Sequence, residues 1–337
     1  MKINFSIINY RKRVEVLMRK IMSSLDIGYA SIKLIVAEIN KKKLYVLTSS
    51  IVNNDAVKKD MTIDYDILEG IIKKLLSDAK EKLGIEIKKT LLTIPTDSAS
   101  FTINRARIDI KNEDNLITVD DMIKVVNLSG KNVVQDNMEL VNITPLYYTL
   151  DDSSKTDKPV NTFSRSLEVK SIITSSSKDD VYKYLRVLDT LGVSVVDISY
   201  DVVGNYFAFK SEDMDTTCGI IIDIGYLSTS ISVYNKGVLV NTLKIKVGSL
   251  NVLKDISYVY KISLDSAKEV YKKLGLGSSK NANNLEKIEL KDNNGDKLII
   301  NQVNLSEIIE SRVQEILSMA KKQINTLTKR QISYIIC

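Results

Sequence analysis

From Ser23 onward, apolar residues recur with two alternating periods. Leu25-Asp26-Ile27-Gly28 reads as a short strand closed by glycine, Ile32, Leu34, Val36 and Ile39 mark a second strand, and the β-branched run from Leu44 to Val52 marks a third. Asn40-Lys41-Lys42 makes the turn between the second and third. The period then lengthens: Ile67, Leu68, Ile71, Ile72, Leu75, Leu76, Ala79 and Leu83 form one wide helical stripe, with Asp64 as the expected N-cap and Gly84 as the stop. Thr90 to Ile94 then reads as a buried strand ending at Pro95. The predicted order is three strands, a helix and a strand.

The second half begins in the same way. Gly219 to Asp223 is strand-like, Gly225 turns the chain, Thr229 to Tyr234 alternates, Asn235-Lys236-Gly237 is a hairpin signal, and Val238 to Val247 returns. At an offset of 197, residues 26–36 and 223–233 match at Asp, Ile, Gly, Tyr, Ser and Val. Comparing all windows yields about one such match by chance, so its weight comes from position: both copies sit at a first strand-to-strand turn that leads into a hairpin. Between them the pattern predicts strands at Ser100–Ile110, Glu139–Leu150 and Ser166–Ile173, with a helix at Val119–Leu128 and a polar loop at Asp151–Pro159. A helix (Asp179–Leu191), a strand (Val193–Ser199) and a helix (Asp201–Phe209) follow. A long amphipathic helix from Leu305 to Leu327 and a strand at Ile332–Ile336 close the chain, and Gly277–Asn284 reads as a solvated loop.

Composition narrows the chemistry. At 337 residues, 44% hydrophobic and 27% charged, the chain is expected to form about two globular domains. It has no histidine, which removes the commonest general base and metal ligand. Cys218 and Cys337 make neither a metal site nor a disulfide framework, so a reducing, cytoplasmic setting is expected. The net charge of +6 is concentrated in residues 1–22, where Lys2, Arg11, Lys12, Arg13, Arg19 and Lys20 oppose Glu15 alone. The remainder is nearly neutral and offers no footprint for nucleic acid. Two readings of the extension stand: a surface-seeking amphipathic helix on Ile7, Tyr10, Val14, Leu17 and Ile21, or sequence upstream of an initiator at Met22.

A strand ending in Asp-x-Gly before a tight hairpin presents successive backbone N–H groups to an anion. The carboxylate suits a hydrated Mg²⁺ that bridges it to phosphate. Two such hairpins, carried by Asp26 and Asp223, are fitted to grip a nucleotide's phosphates from both sides.

These duplicated Asp-Ile-Gly hairpins resemble the two phosphate loops of the actin, Hsp70 and hexokinase superfamily, and the segment between them resembles that of the FtsA family of bacterial cell-division actin homologues. Leu140 to Pro145 through Leu150-Asp151 is similar to that family's hydrophobic-His-hydrophobic-Ile-Pro strand, with Asn142 in place of histidine. Arg165 to Val169 is similar to its Gly-x-Arg-Leu-Glu-Val strand, Val247 to Ile256 to its Gly-Gly-x-x-x-Thr-x-Asp-Ile stretch, and Arg312 to Ile316 to its Arg-x-x-Glu-Ile helix.

The resemblance implies an α/β fold of duplicated ribonuclease-H-type domains with a small inserted α+β (SHS2-type) subdomain. After the extension 1–22, it places subdomain 1A at 23–96 plus 174–215 and 1C at 97–173. Subdomain 2A falls at 216–252 plus 305–337 and 2B at 253–304. It implies ATP with Mg²⁺ held through water by Asp26 and Asp223, phosphates lined by Gly28, Ser31, Gly225, Ser228 and Thr229, and contributions from Lys33, Gly248, Glu269 and Lys272. It further implies a filament at the cytoplasmic face of the membrane at the division septum. That filament would bind the C-terminal tail of FtsZ through 2B and recruit later division proteins, with weak or no hydrolysis. The alternatives are a pilus-assembly scaffold or a small-molecule kinase of the same superfamily.

Departures from the family pattern bear on the site. Tyr226-Leu227 stands where the second loop usually continues with glycines, Gly248-Ser249 replaces Gly-Gly, and Leu253 replaces threonine. Glu269 and Lys272 keep their three-residue spacing but lie one place off from Ala267, which either turns both side chains by about 100° or reflects a compensating gap before Gly275. The family's Thr-Gly-Gly adenosine loop and amphipathic membrane helix are expected beyond Cys337, so the second half reads as lacking its last part.

Overall fold

The computed structural model describes residues 20–41, 43–58 and 62–337. The helix or upstream-sequence readings of residues 1–19 lie outside the described residues. Two units are present, Met1–Phe207 and Ala208–Cys337.

In chain order the first unit holds β1 (Lys20–Ile27), β2 (Ser31–Asn40), β3 (Lys43–Asn53), α1 (Tyr65–Leu83), β4 (Lys89–Ile94), β5 (Ser100–Asp109), α2 (Val119–Gly130) and β6 (Met138–Thr149). The short β7 (Lys155–Thr156), β8 (Ser166–Ser177), α3 (Lys178–Thr190), β9 (Ser194–Tyr200) and α4 (Asp201–Phe209), whose last two residues fall past the unit's end at Phe207, follow. One sheet has the order β3-β2-β1-β4-β9. Tight turns make β1, β2 and β3 antiparallel, whereas β4 and β9 run parallel to β1 because longer crossovers precede them. Alternation along β2 buries Ile32, Leu34 and Val36, and the stripe on α1 buries Leu68, Ile72, Leu75 and Ala79. Asp64 accepts from the Asp66 and Ile67 amides, and Gly84 ends α1 in the left-handed conformation at φ 66°, as the sequence predicts.

Between β4 and α3 lies a second, antiparallel sheet of order β5-β8-β6-β7, covered on one face by α2. Ile117, Val125, Leu167 and Val169 form its centre. Two of the strands that run longer than the sequence predicts do so by several residues. β8 continues past Ile173 to Ser177 because Thr174, Ser175 and Ser176 are buried while their backbone joins the ladder, so polar letters conceal an interior strand. β1 begins at Lys20, with Ile21 and Met22 pairing to Glu38 and Ala37.

The second unit holds β10 (Cys218–Ile224), β11 (Thr229–Asn235), β12 (Val238–Ile245), α5 (Ser249–Tyr260), α6 (Leu264–Leu274), β13 (Lys287–Lys291), β14 (Lys297–Asn301), α7 (Gln302–Leu327) and β15 (Tyr334–Ile336). Its sheet, β12-β11-β10-β15, repeats the order and directions of β3-β2-β1-β4. The N-terminal part of α7 packs Leu305 and Ile309 against α5 and α6, and its C-terminal part packs Ala320 and Ile324 against Ile220, Ile231 and Val233 of the sheet. Gly219 sits mid-strand because a Cβ there would fall 2.1–2.3 Å from ring atoms of Tyr334 on β15. No helix among the described residues is long and apolar enough to cross a membrane.

Candidate functional site: two glycine hairpins

Within the first unit, β1 and β2 pair Asp26 with Lys33 and Ile27 with Ile32, and the turn closes with the Gly28 amide donating to the Ser31 carbonyl at 3.0 Å. Within the second, β10 and β11 pair Asp223 with Ser230 and Ile224 with Thr229, and the Gly225 amide donates to the Ser228 carbonyl, also at 3.0 Å. The sequence repeat is therefore a repeat of register and turn geometry. A Cβ would lie 3.1 Å from the Ser31 oxygen at Gly28 and 2.9 Å from the Ser228 oxygen at Gly225. The turn at Gly225 thus has no room for a side chain without a backbone shift, and the turn at Gly28 is crowded, before any ligand is considered.

Both hairpins are clamped by the segment that follows their third strand, through different donors. The Gly28 carbonyl accepts from Asn54 Nδ2 at 2.7 Å and the Ala30 carbonyl from the Asn54 amide at 3.0 Å. The carbonyl of Gly225 accepts from the Ser249 amide at 2.8 Å, and that of Tyr226 from the Leu250 amide at 2.9 Å. Gly248 lies beneath this contact: a Cβ there would sit 2.5 Å from the Gly225 oxygen and 2.6 Å from the Tyr226 oxygen. While these carbonyls are held, the amides of Tyr29 and Ala30, and of Tyr226, Leu227 and Ser228, carry no hydrogen bond among the described residues. Successive unbonded amides at a turn suit an anion.

The predicted side chains divide into groups. Lys33 Nζ contacts Asp26 Oδ2 at 2.8 Å, so the first carboxylate already shares one oxygen with a cation. Thr229 is fully buried and its hydroxyl donates to the Val247 carbonyl at 2.8 Å, bracing the second hairpin from within. Glu269 and Lys272 are exposed on α6, opposite its buried residues Ala267, Val270 and Leu274. Asp265, four positions before Glu269 and seven before Lys272, shares their helix face. Burial, and after it the charge of Asp265, push the Tyr226 hydroxyl pKa up. No group of three or more His, Cys, Asp or Glu forms a direct metal cage among the described residues.

Asn54, Tyr29 and Asp97, which carry side-chain contacts at the first hairpin, were missed by sequence reasoning. The tyrosines carried a signal, since both repeats read Asp-Ile-Gly-Tyr. Asn54 carried none, because a polar residue after a strand reads as loop. Elsewhere in the second unit, a groove between α5 and α7 is lined by Tyr258, Val259, Ile308, Arg312 and Glu315. Arg312 is fixed there by Asp255 at 2.6 and 2.9 Å, and Tyr258 is 85% exposed.

Two sheets of one strand order, each led by the same clamped hairpin, define an actin-like ATPase fold. Solved structures agree at the level of fold. The PilM–PilN type IV pilus biogenesis complex aligns at 13% identity and TM-score 0.58, covering 92% of this chain and 78% of that one. MreB5 of Spiroplasma citri bound to ADP aligns at 14% and 0.51, covering 92% and 80%. The family model for cell division protein FtsA matches residues 220–333, and that for the SHS2 domain inserted in FtsA matches residues 98–175. FtsA of Bacillus subtilis (strain 168) is 26% identical over 305 residues, covering 90% of this chain and 69% of that protein. FtsA of Streptococcus pneumoniae serotype 2 (strain D39) is 24% identical over 309 residues, covering 90% and 66%. The chain belongs to the FtsA family and carries its SHS2 subdomain. It spans 63–69% of the length of these relatives and that of Staphylococcus epidermidis.

Proposed function

We propose that this chain acts in cell division as a nucleotide-linked adaptor: it assembles with copies of itself at the cytoplasmic face of the membrane at the septum, holds the tail of FtsZ there, and recruits later division proteins. The observation that carries the nucleotide part is the repeated hairpin, closed at 3.0 Å in both units with its turn amides unbonded among the described residues. The phosphates of ATP would rest on the amides at Tyr29–Ala30 and Tyr226–Ser228, with Mg²⁺ bridged through water to Asp26 and Asp223. Membership of the FtsA family, by matches to both the SHS2 segment and the second unit, supports division over the pilus-assembly alternative.

Mg²⁺-dependent binding of a fluorescent ATP analogue tests this reading. Asp26→Asn and Asp223→Asn should each weaken it by about tenfold or more, and unchanged affinity in both variants would overturn the assignment. For the FtsZ tail, the α5–α7 groove offers an exposed aromatic beside a fixed arginine. Tyr258→Ala should weaken anisotropy-detected binding of a peptide copying that tail, and unaltered binding would place the tail elsewhere.

A further inference from the structure

Tyr29 has two ends with different duties. Its amide lies in the row of unbonded donors at the turn, while its side chain leaves the turn and its hydroxyl donates to Asp97 Oδ2 at 2.8 Å. Asp97 belongs to the single helical turn Thr96–Ser98 that joins β4 to β5, the entry to the inserted sheet. Thr96 is itself buried, and its hydroxyl bonds to Asp201 at the start of α4. Entry and exit of the insert are laced together, since Ser100 and Phe101 of β5 pair with Ser175 and Thr174 of β8. A displacement at Asp97 therefore acts on both connections of the insert at once. Burial first, and then the charge of Asp97, hold the Tyr29 hydroxyl protonated well beyond its ordinary range, so it remains a donor at physiological pH.

We propose that Tyr29 is a positioning residue, a strap that couples anion binding at the first hairpin to the seating of the inserted subdomain, residues 98–175. This rests on the reading that the hairpin holds phosphate. An anion that draws the Tyr29 and Ala30 amides toward itself rotates those peptide planes, and the phenol on the same residue carries the movement to Asp97. A small residue at this position could line the turn but could not reach Asp97. In the second hairpin a tyrosine, Tyr226, occupies the same turn position.

Hydrogen exchange of the full chain, with and without Mg-ADP, tests the strap in wild type, Tyr29→Phe and Asp97→Asn. Without nucleotide, Tyr29→Phe should exchange about three- to tenfold faster over Thr96–Thr102, the range expected for one lost hydrogen bond, with α2 unchanged. Asp97→Asn, which keeps an acceptor, should stay near wild type. With nucleotide, the wild type should gain protection at both Gly28–Ser31 and Thr96–Thr102, and Tyr29→Phe only at the hairpin. Protection at the hairpin with no wild-type response at Thr96–Thr102 overturns the coupling alone. No protection at the hairpin overturns the phosphate reading, and the coupling with it. Unchanged ligand-free exchange in Tyr29→Phe overturns the strap whatever the nucleotide does.

Discussion

Gly248 and Asn54 do one job by opposite means. Gly248 contributes by having no side chain, so that the first amides of α5 can reach the carbonyls of Gly225 and Tyr226. Asn54 contributes by having one, and its amide reaches back 26 positions to Gly28. Gly248→Ala forces a methyl group into fixed backbone and should cost about 1–3 kcal/mol or more. Asn54→Ala leaves the Gly28 carbonyl without its donor and should cost about 1–3 kcal/mol. Urea unfolding monitored separately for each unit checks both, and a loss below about 0.5 kcal/mol at either position would show that the clamp is slack. At this scale the sequence was only half readable. Asp26, Gly28, Asp223 and Gly225 announce themselves because a motif repeats, whereas Asn54 acts through a contact that no local pattern encodes.

Elements were more legible than residues, because capping and periodicity are local. The stripe and caps of α1 could be read directly, and the end of β8 could not, since burial of Thr174–Ser176 depends on neighbouring strands. The N-terminus of α2 was not foreseen as a capping box, yet Thr118 accepts from the Asp121 amide while the Asp121 carboxylate accepts from the Thr118 amide at 3.0 Å. Burial alone would raise the Asp121 pKa, but hydrogen bonds from the Thr118 hydroxyl and amide, with Lys124 nearby, bring it below its ordinary value. A carboxyl with a depressed folded pKa adds stability above its unfolded pKa and loses it as pH falls through the folded one. Thr118→Ala should therefore cost about 1 kcal/mol at neutral pH, and the gap to wild type should narrow below about pH 4. Thermal melts of both proteins across that range provide the check, and a gap that stays constant into acid would deny the carboxylate its part.

For the whole molecule, the question is whether the repeated hairpins serve one ligand or two. Our reading gives both a single nucleotide, with Asp26 and Asp223 acting through one hydrated Mg²⁺. That arrangement has a thermodynamic signature independent of any picture of the assembled site. When two carboxylates hold one ion, removing either displaces the ion, so removing the second costs little more. Asp26→Asn, Asp223→Asn and the double variant should then be strongly non-additive in Mg-ATP affinity, with a coupling energy of about 1–3 kcal/mol. Independent sites would give additive losses within about 0.5 kcal/mol. The Asp26–Lys33 pair supplies the control. Lys33→Ala frees an oxygen of Asp26 without touching the second hairpin, so it should alter the Mg²⁺ dependence of binding in the wild-type background and have little effect once Asp26 is already Asn. Additive losses in the aspartate cycle would mean that two copies of one hairpin persist in this chain without sharing a metal.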